Sequence, residues 1–174
     1  MIDERSTTPS APIKDIGAAT PPIQGGELVC DSPQDTFDLG RKLGQELIGG
    51  EIVLLFGGLG AGKTLLTKGI LSGLQYNVDE VTSPSFTFVN LYNTNSFDVY
   101  HIDLWRLDAA QDAGKAVGLD EILENENAVT IIEWADRLEV ISGPNEVIEI
   151  RIDGDGDEPR RISIHRPTAE KLNE

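Results

Sequence analysis

A glycine-rich stretch followed by Lys-Thr is the segment of this sequence with the clearest chemistry. Its residues are Gly57, Gly58, Leu59, Gly60, Ala61, Gly62, Lys63 and Thr64. They match the pattern Gly-x-x-x-x-Gly-Lys-Thr, in which backbone N–H groups cradle phosphate, the lysine reaches the β- and γ-phosphates and the hydroxyl is a ligand of magnesium. The stretch therefore predicts a site for ATP with Mg²⁺, with a chance glycine-rich turn as the alternative.

Two acidic residues end apolar, strand-like runs and are candidates to lie near that magnesium. A phosphate-binding loop needs such an acid, usually at the end of a neighbouring strand. Asp103 ends the run 97–103, and Glu133 ends the run 129–133. Each carboxylate could hold the metal or orient water, or could simply end a strand at the protein surface.

A segment rich in hydroxyl side chains, 82–87, comes after the helix that should follow the phosphate loop. It reads Thr-Ser-Pro-Ser-Phe-Thr. Nucleotide-sensing loops with Ser or Thr hydroxyls occupy this place in P-loop switches. An ordinary turn that contains proline is the alternative interpretation.

The first elements that would position these residues follow from the spacing of apolar side chains. Ser32 as N-cap and Pro33 at the first helical position predict the start of a helix. Leucines recur every four residues from 39 to 47, and Gly49-Gly50 should end the helix. The almost unbroken apolar run 51–56 predicts a strand that is buried on both faces and leads directly into the phosphate loop.

The rest of the chain predicts a three-layer α/β domain. A second helix should follow the phosphate loop to about Leu74. Further strands are expected at 86–91, 97–103 and 128–133, helical pieces at 108–116 and 120–124, and a hairpin from 147–152 and 161–165. His101 lies within a strand-like run, where packing or a hydrogen bond is expected rather than catalysis. We therefore expect a P-loop NTPase-like fold with a mostly parallel central sheet and antiparallel C-terminal strands.

Length and composition indicate one globular domain between two tails. The chain has 174 residues, of which 39% are hydrophobic. Residues 1–26 are rich in Pro, Ser, Thr and Gly and are predicted to be a flexible tail. The P-loop domain is predicted at 27–166 and a short tail at 167–174. No run is apolar and long enough for a membrane span or a signal peptide, and Cys30 has no disulfide partner in the chain, so we expect a cytoplasmic protein.

The strong negative charge argues against direct binding of nucleic acid. Lys and Arg number 14 against 30 Asp and Glu, which leaves a net charge of −16. Affinity for nucleic acid comes largely from cations that neutralise phosphates, and no stretch rich in Lys or Arg occurs. If the protein serves an RNA pathway, we expect it to act on a protein partner.

Four segments together resemble a known family. They are Gly57–Thr64, Thr82–Thr87, His101–Leu107 and Ile132–Trp134. Their order and spacing are similar to those of the TsaE family, the ATPase component of the bacterial machinery for N6-threonylcarbamoyladenosine at position 37 of tRNAs that read ANN codons. The resemblance covers about 27–165. The phosphate loop alone is generic, whereas the segments around Asp103 and Glu133 are specific.

The resemblance implies roles for the matching residues of the site. Residues 59–64 would wrap the phosphates, with Lys63 a catalytic cation. Thr64 and Glu133 would hold magnesium. Asp103 would orient or deprotonate the attacking water.

Further residues around the site also have counterparts in the family. Trp134 matches a tryptophan beside the active site, with a plain core aromatic as the alternative. Ser85 and Thr87 would lie in the switch-like loop. The resemblance also implies that Arg160 lies near the nucleotide and that the helix start at Pro33 lies near the adenine.

Three positions depart from the family pattern. Gly58 stands where an acidic residue is usual, and Leu65 stands where a second threonine usually follows Thr64. Trp105 replaces the more common tyrosine. Because Leu65 lacks this hydroxyl, we expect weaker nucleotide binding than the motif alone suggests.

The function implied by the resemblance is magnesium-dependent ATP hydrolysis, slow in the isolated protein. It would support the partner proteins TsaD, which carries the transferase site, and TsaB, so that tRNA is served indirectly. A small-molecule kinase is one alternative, although Arg106 is the one arginine between Lys63 and Glu133. A nucleotide-gated binding module is another. A GTPase is disfavoured because no Asn-Lys-x-Asp motif occurs.

Overall fold

The chain forms seven strands and four α-helices in the part described by a computed structural model, which covers residues 26–107, 112–139, 141, 145–155 and 159–166. The elements are β1 (Gly26–Cys30), α1 (Pro33–Glu46), β2 (Ile52–Gly57), α2 (Lys63–Gly73), β3 (Val89–Asn93), β4 (Asp98–Asp103), α3 (Ala113–Val117), α4 (Leu119–Leu123), β5 (Val129–Glu133), β6 (Val147–Asp153) and β7 (Arg160–His165). Residues 1–25 and 167–174, nearly all of the two predicted tails, lie outside the described residues. Gly26, predicted to end the first tail, is the first residue of β1.

The described strands form one mixed sheet in the order β1-β7-β6-β2-β5-β4-β3. The three central pairs, β6–β2, β2–β5 and β5–β4, are parallel, and the outer pairs are antiparallel. This confirms the predicted α/β fold, with the parallel part confined to the four central strands. The antiparallel pairing of β3 with β4 was not predicted. It follows from their short connection, 94–97, which is too short for a parallel crossover.

Helices cover both faces of the sheet, as the three-layer prediction requires. On one face α1 and α2 pack on alternate strand residues such as Val53 and Leu55. On the other face residues of α3 and α4 belong to the same hydrophobic cluster as Ile52 and Leu54. Strand β2 is therefore buried on both sides, which explains its continuous apolar sequence. No described helix has the length and apolar composition that a membrane span requires.

Two element boundaries differ clearly from the sequence predictions, and of the helical piece predicted at 108–116 the first four residues, 108–111, lie outside the described residues. Helix α1 begins as predicted, with the Ser32 hydroxyl accepting the N–H of Asp35 at 3.1 Å, but it ends at Glu46, before the two glycines. The strand predicted at 86–91 is wrong in its first half, because β3 begins only at Val89. Phe88 has a φ of 63°, so the backbone turns there and cannot continue an extended strand.

Strand β1 had no sequence signal. It is an edge strand, and Leu28 and Val29 are 39% and 61% exposed. It exists through its antiparallel pairing with β7, in which Leu28 lies opposite Ile162. The pattern of apolar residues within β1 does not show this distant pairing.

Helices α1 and α2 touch backbone to backbone through glycines. Gly40 and Gly44 of α1 face Gly69 and Gly73 of α2. A Cβ atom built on Gly44 would lie 2.1 Å from the Ile70 carbonyl oxygen, and one on Gly69 would lie 2.2 Å from that of Phe37. Any side chain at these positions would push the helices apart. The contact therefore fixes α2, whose first residue is the lysine of the phosphate loop.

Replacement of Gly44 by alanine should lower the free energy of unfolding by about 2 kcal/mol or more, because extra atoms in a packed interface typically cost ~1–3 kcal/mol and here the obstacle is backbone. Urea denaturation measures the loss. Gly114→Ala is the matched control, since a Cβ there meets nothing closer than 3.5 Å. This second variant should be neutral or slightly more stable. Equal effects of the two substitutions would contradict the close helix contact.

Candidate nucleotide site

A cavity of about 410 Å³ opens at the carboxyl ends of the central parallel strands. Ligands of open α/β sheets bind at this edge. The cavity is lined by the phosphate loop and the start of α2, by Ser83 and Ser85, by Asp103 and Glu133, and by Trp105, Arg106 and Trp134. The fold thus brings both predicted acids to the phosphate loop.

The phosphate loop has backbone conformations that glycine adopts easily. Gly60 and Gly62 have φ values of 79° and 108°. A Cβ on Gly62 would lie 3.2 Å from Nε of Arg160, which donates a hydrogen bond to the Ala61 carbonyl at 2.7 Å. Arg160 therefore supports the loop and does not line the cavity. The first N–H groups of α2 have no intrahelical acceptor and are available to an anion.

Lys63 is buried against the phosphate loop. Its ammonium donates hydrogen bonds of 2.7 Å to the carbonyl oxygens of Gly57 and Gly58, and it lies 3.7 Å from the ring centroid of Trp134. Burial lowers the pKa of Lys63, although Glu133 and other carboxylates act in the opposite direction. A cation that lines the cavity and is held among carbonyls and an aromatic face is suited to bind phosphate.

Glu133 is held between two side chains from other elements. Its Oε2 accepts a hydrogen bond from the Thr64 hydroxyl at 3.0 Å, and its Oε1 lies 2.8 Å from Nε2 of His101. The adjacent hydroxyl and carboxylate are hard oxygen donors, the kind that magnesium prefers. The described residues contain no group of three or more His, Cys, Asp or Glu that could hold a metal. The pair thus fits a magnesium ion that takes most of its other ligands from phosphate and water.

Asp103 lies beside Glu133 in the register of β4 and β5. Its Oδ1 accepts the backbone N–H of Trp105 at 2.9 Å, and its Oδ2 accepts the Ser83 hydroxyl at 2.8 Å. The sequence could not show whether the two acids converge, and the structure places both at one cavity. Thr64 contacts Glu133, so Glu133 is the acid next to the predicted metal position.

The loop 82–88 brings one of its two predicted residues, Ser85, and one further residue, Ser83, to the cavity. Ser85 lines the cavity. Thr87 is exposed and donates a hydrogen bond to Asn90 at 3.2 Å. Ser83 contacts Asp103 and was not singled out from the sequence, because nothing in its spacing separates it from the other hydroxyl residues of this loop.

Two tryptophans stack at the cavity. The rings of Trp105 and Trp134 lie 4.3 Å apart. Trp105, which stands where the family more often has tyrosine, keeps this aromatic contact.

A Cβ on Gly58 would meet nothing within 4 Å, so the acidic residue usual there would have room. Pro33 is exposed at the start of α1 and does not line the cavity.

The lowered pKa of Lys63 predicts how stability without ligand depends on pH. At pH values where Lys63 is charged in both the folded and the unfolded chain, its burial lowers the free energy of unfolding. This loss of stability disappears as the pH rises through the pKa of Lys63 in the folded chain toward the ordinary value of 10.5. The unfolding free energy of the wild type should therefore rise relative to that of Lys63→Met over this range. Urea titrations at successive pH values measure the difference.

Lys68→Met controls for the loss of a lysine from the same helix. Lys68 lies outside the cavity lining. Its stability difference from the wild type should stay constant over the same pH range. A difference for Lys63→Met that is constant or falls with pH would contradict the burial effect.

Comparison with known proteins places this site in a family. The family model described as "Threonylcarbamoyl adenosine biosynthesis protein TsaE" matches residues 30–162. The Bacillus subtilis (strain 168) tRNA threonylcarbamoyladenosine biosynthesis protein TsaE is 34% identical over 133 residues, which are 76% of this chain and 80% of that protein. The Aquifex aeolicus (strain VF5) protein of the same name is 32% identical over 141 residues, 80% of this chain and 96% of its own length.

A solved structure agrees with this result. The crystal structure of Bacillus subtilis YdiB is similar with a TM-score of 0.62 and 27% sequence identity, and the match covers 86% of this chain and 89% of that one. The family match spans both the phosphate loop and the segments that end in Asp103 and Glu133. The chain belongs to the TsaE family.

Proposed function

We propose that this chain is a magnesium-dependent ATPase that supports formation of N6-threonylcarbamoyladenosine at adenosine 37 of tRNAs that read ANN codons. The observation that carries the ATPase part is the meeting of Lys63, Thr64 and Glu133 at one cavity beside a phosphate loop. Membership of the TsaE family supports the pathway.

The residues around the cavity would divide the work of binding ATP. The N–H groups at the start of α2 and the Lys63 ammonium would bind the phosphates, with the ammonium exchanging its present carbonyl partners for phosphate oxygens. Thr64 and Glu133 would hold Mg²⁺, which when bound neutralises charge on the phosphates. The Trp105–Trp134 pair would shield one side of the cavity from water.

In this proposal Asp103 would orient the attacking water. Both of its oxygens already accept a hydrogen bond, from Ser83 and from the N–H of Trp105. Each carboxylate oxygen has a second lone pair, so Asp103 could accept a proton from water without losing these partners. The two contacts would hold the carboxylate in one orientation.

We also propose that TsaB and TsaD are the partners and that tRNA is served through them. Among the described lining residues the cations are Lys63 and Arg106. The Arg106 guanidinium lies 4.2 Å from the ring centroid of Phe86. With few cations at the cavity, charge on the transferring phosphoryl group is incompletely neutralised, so hydrolysis should be slow alone. The net charge of −16 disfavours a direct grip on tRNA.

Replacement of Lys63 by alanine should weaken binding of ATP with Mg²⁺ roughly 10- to 100-fold, the loss expected for a charge-assisted hydrogen bond. Isothermal titration calorimetry measures the change. Lys68→Ala, in the same helix but outside the cavity lining, is the control and should bind as the wild type does. Unchanged affinity in Lys63→Ala would exclude this cavity as the phosphate site.

Hydrolysis should depend on Asp103 and on the partners. We expect the purified chain to release phosphate slowly and TsaB and TsaD together to accelerate the release. In Asp103→Asn the rate of hydrolysis should fall at least about 100-fold, because a positioned base typically contributes that much. The affinity of this variant for ATP should stay nearly that of the wild type. A phosphate-release assay and calorimetry measure the two quantities. Fast turnover that the partners leave unchanged would contradict the proposal.

A nucleotide-gated binding module is a second candidate, favoured by one contact. The Asp103–Ser83 hydrogen bond joins the end of β4 to the loop 82–88. A change at the γ-phosphate could thus alter this loop, as in P-loop switches. If Asp103→Asn abolished hydrolysis while the reconstituted system still modified tRNA over many turnovers, the binding module would be the better description.

A further inference from the structure

His101 is a buried histidine whose side chain makes its one hydrogen bond among the described residues to Glu133, the acid expected to hold magnesium. The side chain is fully buried, and its Nε2 lies 2.8 Å from Oε1 of Glu133. It lies on β4 two residues before Asp103, so both side chains point to the face covered by α2. From the sequence His101 was expected to pack or to make a hydrogen bond. In the structure that hydrogen bond is to a residue of the candidate site.

The hydrogen bond assigns the proton of the imidazole. Glu133 is an acceptor, so Nε2 carries the hydrogen. The other nitrogen, Nδ1, has no hydrogen-bond partner among the described residues. The geometry therefore has the imidazole donate its Nε2–H to Oε1 of Glu133.

The two oxygens of Glu133 are held separately. His101 contacts Oε1, and the Thr64 hydroxyl contacts Oε2. A carboxylate fixed at one oxygen cannot rotate freely about its last bond, so the other oxygen stays directed at Thr64. Groups that hydrogen-bond to a metal ligand from behind commonly set its orientation and raise metal affinity.

From these contacts we infer that His101 is a positioning residue, which keeps Oε2 of Glu133 directed at Thr64 and at magnesium. The inference rests on the proposed function, since it assigns His101 a part in that same site. It has a specific consequence: His101 increases the gain in ATP affinity that Mg²⁺ gives. The affinity for ATP without the metal is nearly independent of His101.

The test compares ATP affinity with Mg²⁺ and with EDTA in the wild type, His101→Leu and His101→Gln. Leucine fills the space without a donor, whereas the glutamine amide can donate from near the Nε2 position. The magnesium enhancement is the ratio of the ATP affinity in Mg²⁺ to the ATP affinity in EDTA. We expect this enhancement to fall about 10-fold or more in His101→Leu and to be largely kept in His101→Gln. Affinity in EDTA should change less than about twofold, within the ordinary spread of such measurements.

Thr130→Val is the matched control for a change to a buried polar residue of the sheet. Thr130 is 2% exposed on β5 and lies outside the cavity lining. Its variant should keep the full magnesium enhancement whatever happens to thermal stability. If His101→Leu does not fold, His101→Asn is used as the variant without the hydrogen bond. The asparagine amide is too short to reach Glu133 from the same backbone position.

A spectroscopic measurement checks the proton directly. The chain has two histidines, and His165 is exposed on β7, so ¹⁵N-labelled histidine resolves the buried ring. We expect a proton on Nε2 of His101, with and without ATP and Mg²⁺. A proton on Nδ1 alone would overturn the assignment.

The outcomes separate this inference from the proposed function. Absence of ATP binding by the wild type would contradict the function itself. A wild type that binds with a clear magnesium enhancement, together with the same enhancement in His101→Leu, would overturn the positioning role alone. Loss of thermal stability without a change in that enhancement would show that His101 serves only the core.

Discussion

The buried carboxylate of Glu133 is the interaction on which the arrangement of the site depends. It is 2% exposed, and a carboxylate removed from water is tolerated only when it is hydrogen-bonded. Its two partners come from α2 and β4, so one side chain joins the start of the phosphate-loop helix to two central strands. If the strand slipped by one residue, this carboxylate would move to the opposite face and both contacts would be lost.

Local charge explains how an acidic chain would hold the polyphosphate of the proposed nucleotide. The net charge is −16, and Asp103 and Glu133 both line the cavity. A bound triphosphate would add further negative charge beside these acids. Lys63 and the N-terminus of α2 offset part of it, and a divalent cation between carboxylate and phosphate would offset more. The site therefore makes physical sense as a site for a nucleotide with its metal, and much less as a site for the nucleotide alone.

The parts of the fold that could be predicted are the helices and strands whose own residues are enough to specify their secondary structure. The Ser32 cap, the leucine stripe of α1 and the apolar run of β2 are local patterns, and the structure confirms them. Features that depend on distant pairing were missed or misplaced. Strand β1 exists only against β7, and β3 begins late because Phe88 turns the chain. The glycine contact between α1 and α2 is visible as a spacing of four in each helix, but its meaning requires the other helix.

The candidate site shows the same division. The phosphate loop, the acids at two strand ends and the resemblance to the TsaE family could be read from the amino-acid sequence, because each depends on residues that are close together in the chain. The contact of Thr64 with Glu133, the hydrogen bonds of His101 and Ser83 to the two acids, and the support of the loop by Arg160 from outside the cavity became visible only in the folded chain. These contacts join residues up to 99 positions apart. Strand order and register bring such residues together, and no local pattern of side chains specifies them.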